Sequence, residues 1–526
     1  MSVAADDLVN ELEARLRPLE VELARAWWDA STQSSEEADR RRIDADVARR
    51  AMLADSSAFD AICDAQARSD LTPSTRRQLE VLHDLCTPHQ LPEDMRRRLV
   101  ELETSVDSTF NSFRGELDGQ RVEDNALLEI LRTSNDSELR RRAWEASKQI
   151  GAEVGERVRE LARLRNEAAQ LLGYRDHFAL ALATGEMDEA RLFSTLDEVD
   201  RVTSGPFTEW KRRLDDALAQ RFGCAPDDLR PWNLDEPFFQ DPPASGAVDL
   251  DSFFRDRDLE ALTTRTFEGL GLDIEPVLQR SDLYSRAGKS QHAFCIDIDR
   301  EGDVRVLCNV EPNERWMDTM LHEFGHGIYD REIDHDVPWL VRQAAHPLTT
   351  EGVAMLFGRL VREPDWLATI GGLAPGTLSD LLPRLDEARR AALLTFARWV
   401  LVVTHFERQL YADPDGDLDA RWWDLVEQYQ QVRRPEGQRH DDWASKIHLA
   451  VVPVYYQNYL YGEMVASQLT TSILERAGGF VDREAAGRYL AHDFFRPGGS
   501  LRWDELMEQA TGEPLTAKHL ARQITS

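Results

Sequence analysis

Apolar side chains recur every third or fourth residue along most of the chain, the spacing that lines one face of an α-helix. Leu12, Leu16, Leu19, Leu23 and Trp27 form one such stripe; Val154, Val158, Leu161, Leu164, Ala168 and Leu171 form another that stops at Gly173. Breaks fall at Pro73, from Asp241 to Gly246, from Gly371 to Gly376, from Pro414 to Gly416 and from Pro497 to Ser500. None is long enough for a flexible interdomain linker, and no internal repeat or low-complexity tract interrupts the pattern. The expectation is an all-α, predominantly helical fold built as a single unit over residues 1–526.

One stretch departs from helical spacing. Phe294, Ile296 and Ile298 alternate with other residues, as do Val304, Val306, Cys308 and Val310, around the turn residues Arg300 to Asp303. This predicts a β-hairpin whose apolar face brings Phe294 near Cys308 and turns Cys295 to the other side, which disfavours a disulfide between the two cysteines. A lone hairpin in a helical protein is either local structure or an edge on which a peptide can add as a further strand.

Composition narrows the function classes. Of 526 residues 42% are apolar and 30% charged, enough for a large core. The 63 basic and 96 acidic residues leave a net charge of −33, which repels nucleic acid and anionic lipid. No basic, apolar leader opens the chain and no run approaches a membrane span. Five scattered cysteines without paired spacing predict a reducing, cytoplasmic setting. Only five basic residues are lysines (148, 211, 289, 446 and 518), so a lysine in a chemical motif stands out.

The motif that carries chemistry is His322-Glu323-Phe324-Gly325-His326. On a helix, histidines four apart project from one face and can grip one metal ion, and at this composition only ~0.03 matches to His-Glu-x-x-His arise by chance. Pro312 and the apolar residues Trp316, Met317, Met320, Leu321 and Phe324 predict a helix over about 312–329. A catalytic zinc needs a third protein ligand and an open position. Glu351 offers one, in the first turn of a helix that Thr349 and Thr350 can cap, within a metal-binding pair spanning about 312–362; His335 and His346 compete for the same role. In such a site Glu323 serves as general base, and hydrolysis of a peptide bond also needs a hydrogen-bond donor for the developing oxyanion. Lys446-Ile447-His448 followed by Tyr455, Tyr456 and Tyr459, on a helix over about 443–475, is either an aromatic core stripe or a receptor for a carboxylate.

Together these residues resemble the angiotensin-converting enzyme family of peptidyl dipeptidases and are similar to those of thimet oligopeptidase and oligoendopeptidase F. The likeness extends to Trp27-Trp28-Asp29-Ala30, to Asn166–Asp176 and to the hairpin from His292 to Val310. The resemblance implies two helical lobes around a deep channel with the hairpin beside the metal, one zinc ion per chain, and short unfolded peptides as substrates. It implies His322, His326 and Glu351 as ligands, Glu323 as base and Tyr459 as the oxyanion donor. It places the substrate's C-terminal carboxylate on Lys446, His448 and Tyr456, with Tyr455 as the alternative tyrosine, and the peptide backbone along His292 and Ala293. The result would be release of C-terminal dipeptides; internal cleavage without an anchored C-terminus, or a catalytically silent peptide-binding protein, are the alternatives. This chain has Asn458 where chloride-activated members carry arginine, and Met355 where they carry an aspartate behind the ligands, a role Asp330 could take instead. No glutamine for the carboxylate is evident near Asp249–Phe254.

Overall fold

The computed structural model describes residues 3–243, 249–437 and 441–525. Among these the chain is helical apart from two short antiparallel strand pairs, Gly115–Leu117 with Gln120–Val122 and Phe294–Asp297 with Val304–Leu307. No described helix is long and apolar enough to cross a membrane. The expected break after Asp241 is irregular through Pro243; its remaining residues, 244–246, lie outside the described part. The chain forms two compact units, one of residues 1–90, 248–383 and 461–520, the other of 91–247, 384–460 and 521–526.

In the first unit the helix Val3–Thr32 serves two cores. Leu12 and Leu16 pack with Ile62, Leu79 and Leu82, while Val21, Ala24 and Trp28 pack with Phe294, Ile296, Ile298 and Leu307 of the hairpin. At 100° per residue Val21, Ala24 and Trp28 lie on the face opposite Leu12 and Leu16. Trp28 is therefore only 7% exposed, and Trp27, the residue that continues the first stripe, is 46% exposed under Arg42.

The hairpin register differs from expectation by one residue: Phe294 lies opposite Leu307, not Cys308, and Cys295 opposite Val306. Its apolar residues thus divide between both faces. One face meets the N-terminal helix, and the other places Val304 and Cys295 against Gly327. With both faces buried, alternation alone cannot choose the register. The outer side of Val304–Leu307 is covered by Asp282, whose N–H donates to the Val306 carbonyl and whose carbonyl accepts from Cys308.

In the second unit the helix Ser137–Leu171 buries Trp144, Val154, Val158, Leu161 and Leu164, and Gly173 follows at φ 86°, where a side chain would be strained. The segment 443–475 is not one helix. A turn at Asp442–Ser445 and a short turn at His448–Val451 precede the long helix Tyr456–Ala477, because Pro453 lacks an N–H and Val454 sits at φ 54°, a costly angle for a β-branched residue. Two buried side chains hold that kink: Glu407 accepts the Val454 N–H at 2.6 Å, and Gln457 donates to the Val454 carbonyl at 2.6 Å.

Candidate metal centre

The motif helix begins at Glu314, one residue beyond its cap, Asn313, whose side chain accepts the N–H of Trp316 at 2.9 Å; Pro312 stays outside. Met317, Met320, Leu321, Phe324 and Ile328 are buried, and this fixes the rotation of the helix. His322 and His326, one turn apart, then project side by side with ring centroids 4.9 Å apart. Glu323, on the adjacent face, is buried and accepts a hydrogen bond from the backbone N–H of Cys295 in the hairpin.

The second ligand-bearing helix, Pro347–Gly358, has His346 as its cap; the threonines fall inside its first turns, where the Thr349 hydroxyl returns the bond by accepting the His346 N–H at 3.2 Å. His346 accepts the Leu348 N–H on Nδ1 at 3.1 Å, so its role is to start this helix. His335 is exposed. Glycines allow the close approach. A Cβ on Gly325, between the two motif histidines, would stand 3.0 Å from the Ala354 backbone; one on Gly352, beside Glu351, would stand 2.6 Å from Val465 Cβ and 3.1 Å from the Gly462 carbonyl. Met355 occupies the matching position on the same face, its sulfur 3.2 Å from where a Gly462 Cβ would lie. Gly352→Ala is expected to destabilise the fold by about 1–3 kcal/mol through overpacking and to weaken metal binding, both visible in a thermal melt with and without added zinc.

Ligand atoms of His322, His326 and Glu351 lie within 4.8 Å of one another, the one such cluster among the described residues. His322 Nε2 is 3.8 Å from Glu351 Oε2. His326 Nδ1 is 2.6 Å from the Thr350 hydroxyl, which leaves Nε2 to face a metal. Neither Met355 nor Asp330 supplies that outer contact; the residue next to Glu351 does. Thr350→Val is expected to weaken metal affinity about 10–100-fold with the fold intact, measurable by competition with a chromogenic chelator. Burial pushes the His322 pKa down to about 4 and that of His326 well below its ordinary value, so both rings are neutral and ready to ligate. Burial also pushes Glu351 up to about 7, and burial with the like charge of Glu351 pushes Glu323 up to about 8, against the Cys295 N–H.

Two comparisons with known proteins bear on this geometry. Residues 2–201 match the family described as angiotensin-converting enzyme, and residues 279–526 match peptidase family M3, the stretch that contains both ligand helices. The two matches, each over less than half of the chain, support a likeness to zinc peptidases of this type. It is 23% identical over 242 residues to an angiotensin-converting enzyme-related protein of Drosophila melanogaster, covering 42% of this chain and 38% of that one. It is 22% identical over 436 residues to an angiotensin-converting enzyme-like protein, Ace3, of Mus musculus, covering 74% and 57%. The chain therefore spans less than two thirds of either relative.

The other residues singled out from the sequence fall in both units. His292 is exposed and Ala293 half-buried, immediately before the strand Phe294–Asp297. In the second unit Tyr459 packs against Tyr455 and Tyr456, with centroids at 5.2 and 5.5 Å, and against Phe396. Tyr456 also packs at a tilt against His448, with centroids 5.0 Å apart, and the Lys446 ammonium lies 5.4 Å from the centre of the Tyr456 ring. Burial lowers Lys446 to about 8, opposed by Glu236 and Asp241, and lowers His448 to about 4.

The residue missed from the sequence is Gln240, whose Oε1 accepts from Lys446 Nζ at 3.0 Å. It comes from an irregular stretch, Glu236–Gln240, with no periodicity to mark it. The nearest signal was Lys446 itself, a rare lysine that once buried must find an acceptor.

Proposed function

We propose that the chain is a zinc-dependent hydrolase of short unfolded peptides that releases C-terminal dipeptides. The observation that carries the reading is the buried Glu323 carboxylate on the same helix turn as His322 and His326, with Glu351 completing a set of two nitrogen donors and one oxygen donor. That set fits zinc with one position left open, because both rings are neutral and His326 has its Nδ1 on Thr350. Held by His322, His326 and Glu351, one zinc ion would supply an acidified water molecule and a polarised carbonyl. Glu323 takes the water's proton on its carboxylate and delivers it to the departing amine, and its raised affinity for a proton suits both steps. Tyr459, on the strength of the sequence likeness, is assigned as the donor to the oxyanion.

Lys446 with Gln240, Tyr456 and His448 supports the exopeptidase mode, since an ammonium with neutral donors around it is a receptor for a terminal carboxylate. Ala293 and His292 in this reading align the peptide backbone as an added strand. The match of residues 279–526 to family M3 favours a second reading, internal cleavage. The net charge of −33 and five unpaired cysteines support a cytoplasmic enzyme without nucleic-acid or membrane partners.

The test is cleavage of a peptide of about ten residues, as free acid and as C-terminal amide, with products identified by mass. Stepwise loss of dipeptides from the acid, strongly reduced for the amide and stopped by a chelator, is the expected result. Equal internal cleavage of both forms would establish the second reading. No cleavage of either would leave a peptide-binding protein.

A further inference from the structure

We propose that Glu236 and Gln430 are positioning residues for recognition of the substrate's C-terminal carboxylate, acting through the loop that presents Gln240 to Lys446. The inference rests on the exopeptidase reading above. The loop is clamped at almost every polar group. The Glu236 carboxylate accepts the N–H of Phe238 at 2.9 Å and that of Gln240, so both oxygens tie down the same short turn. The Gln430 amide donates to the carbonyls of Phe238 and Phe239 at 3.1 and 2.8 Å, and the Trp144 indole donates to the Pro237 carbonyl at 3.2 Å. Glu236 and Gln430 are both buried, as is Phe239.

Phe239, between the two N–H groups that Glu236 holds, sits at φ 54°, in the left-handed region that a bulky residue leaves unless its surroundings over-determine it. The Phe238 ring carries Lys148 Nζ 3.3 Å and Lys446 Nζ 5.1 Å from its centroid and packs on Trp399 at 5.4 Å. So the strained turn aims two things at once. It directs the Gln240 side chain to Lys446, and it sets the aromatic wall beside that ammonium. A loop that only closed the surface would need neither the buried carboxylate nor the strained aromatic.

The experiment measures kcat and KM for the free-acid and amide peptides, together with hydrogen exchange of the segment 236–243, in the full zinc-loaded chain. The variants are Gln240→Ala, Lys446→Ala, Glu236→Ala and Gln430→Ala. Expected for Glu236→Ala and Gln430→Ala is a fall of about tenfold in the acid-to-amide ratio of kcat/KM, carried by KM, with faster exchange at Phe238 and Gln240. Faster exchange with the ratio at its wild-type value would overturn the proposal while Gln240→Ala and Lys446→Ala still lowered the ratio. If those two left the ratio unchanged, the carboxylate reading itself would fall, and the proposal with it. Should Glu236→Ala not fold, Glu236→Gln keeps the shape with one acceptor oxygen. It is expected to give a smaller fall at an unchanged melting temperature; a wild-type ratio with fast exchange would again overturn the proposal.

Discussion

Glu323→Gln is expected to lower kcat by about 10²–10⁴-fold with the zinc content unchanged, the loss typical of a missing general base. The amide has nearly the shape of the carboxylate, and its oxygen can still accept the Cys295 N–H, so the helix and the ligand trio should stay in place. What it lacks is the ability to take a proton. Turnover of the short peptide alongside metal analysis of the same preparation checks this. More than about a tenth of the wild-type rate at full zinc occupancy would remove Glu323 from the chemistry, since a base worth the usual range cannot be lost so lightly.

The second large effect links zinc to pH. Burial holds His322 at about 4 and His326 well below its ordinary value, so in the neutral range the proton that competes with zinc sits on Glu351, at about 7. Zinc affinity is therefore expected to weaken by about tenfold per pH unit below pH ~7 and to level off above it. The metal-free chain should show the opposite trend. Burial raises Glu351 from 4.5 to about 7, so the folded state holds a proton that the unfolded state has released. That contribution to stability is full below about pH 4.5 and lost by about pH 7, a change of about 3 kcal/mol. Denaturant melts of the metal-free wild type and of Glu351→Gln at pH 5.5 and 8 give the comparison. The variant should lose the part of the slope due to Glu351, and zinc at a thousandfold excess over its Kd should add about 4 kcal/mol to the wild type at pH 8. Equal slopes in the two proteins would place the competing proton elsewhere.

The cluster of His322, His326 and Glu351 is readable from sequence because its logic is helical: the histidines are one turn apart, and Glu351 begins a new apolar stripe. The same logic fails where a second constraint acts. Alternation finds the hairpin but not its register, because Phe294 and Val304 face opposite cores. Periodicity runs 443–475 together as one helix, because nothing in it shows that Glu407 and Gln457 hold Val454 in a kink before Tyr456. Thr350 reads as a cap and is in fact the partner of His326, while the cap is His346, which reads as a ligand. Gln240 lies 206 positions from Lys446 in an irregular turn, beyond the reach of any local pattern.

The glycines at 325, 352 and 462 have a consequence for how the protein handles metal. The distance between the two ligand helices is set by Gly325 lying on the Ala354 backbone, and the second of them is seated by Gly352 against Val465 and the Gly462 carbonyl, contacts to which an ion contributes nothing. Exchange of metal is then a transaction between two folded states, unlike that of small zinc modules which unravel when stripped. Different divalent ions would meet one ligand spacing that does not reshape itself for them, so a swap to cobalt or manganese should alter the rate and the spectrum but leave the circular dichroism of the helices where it was.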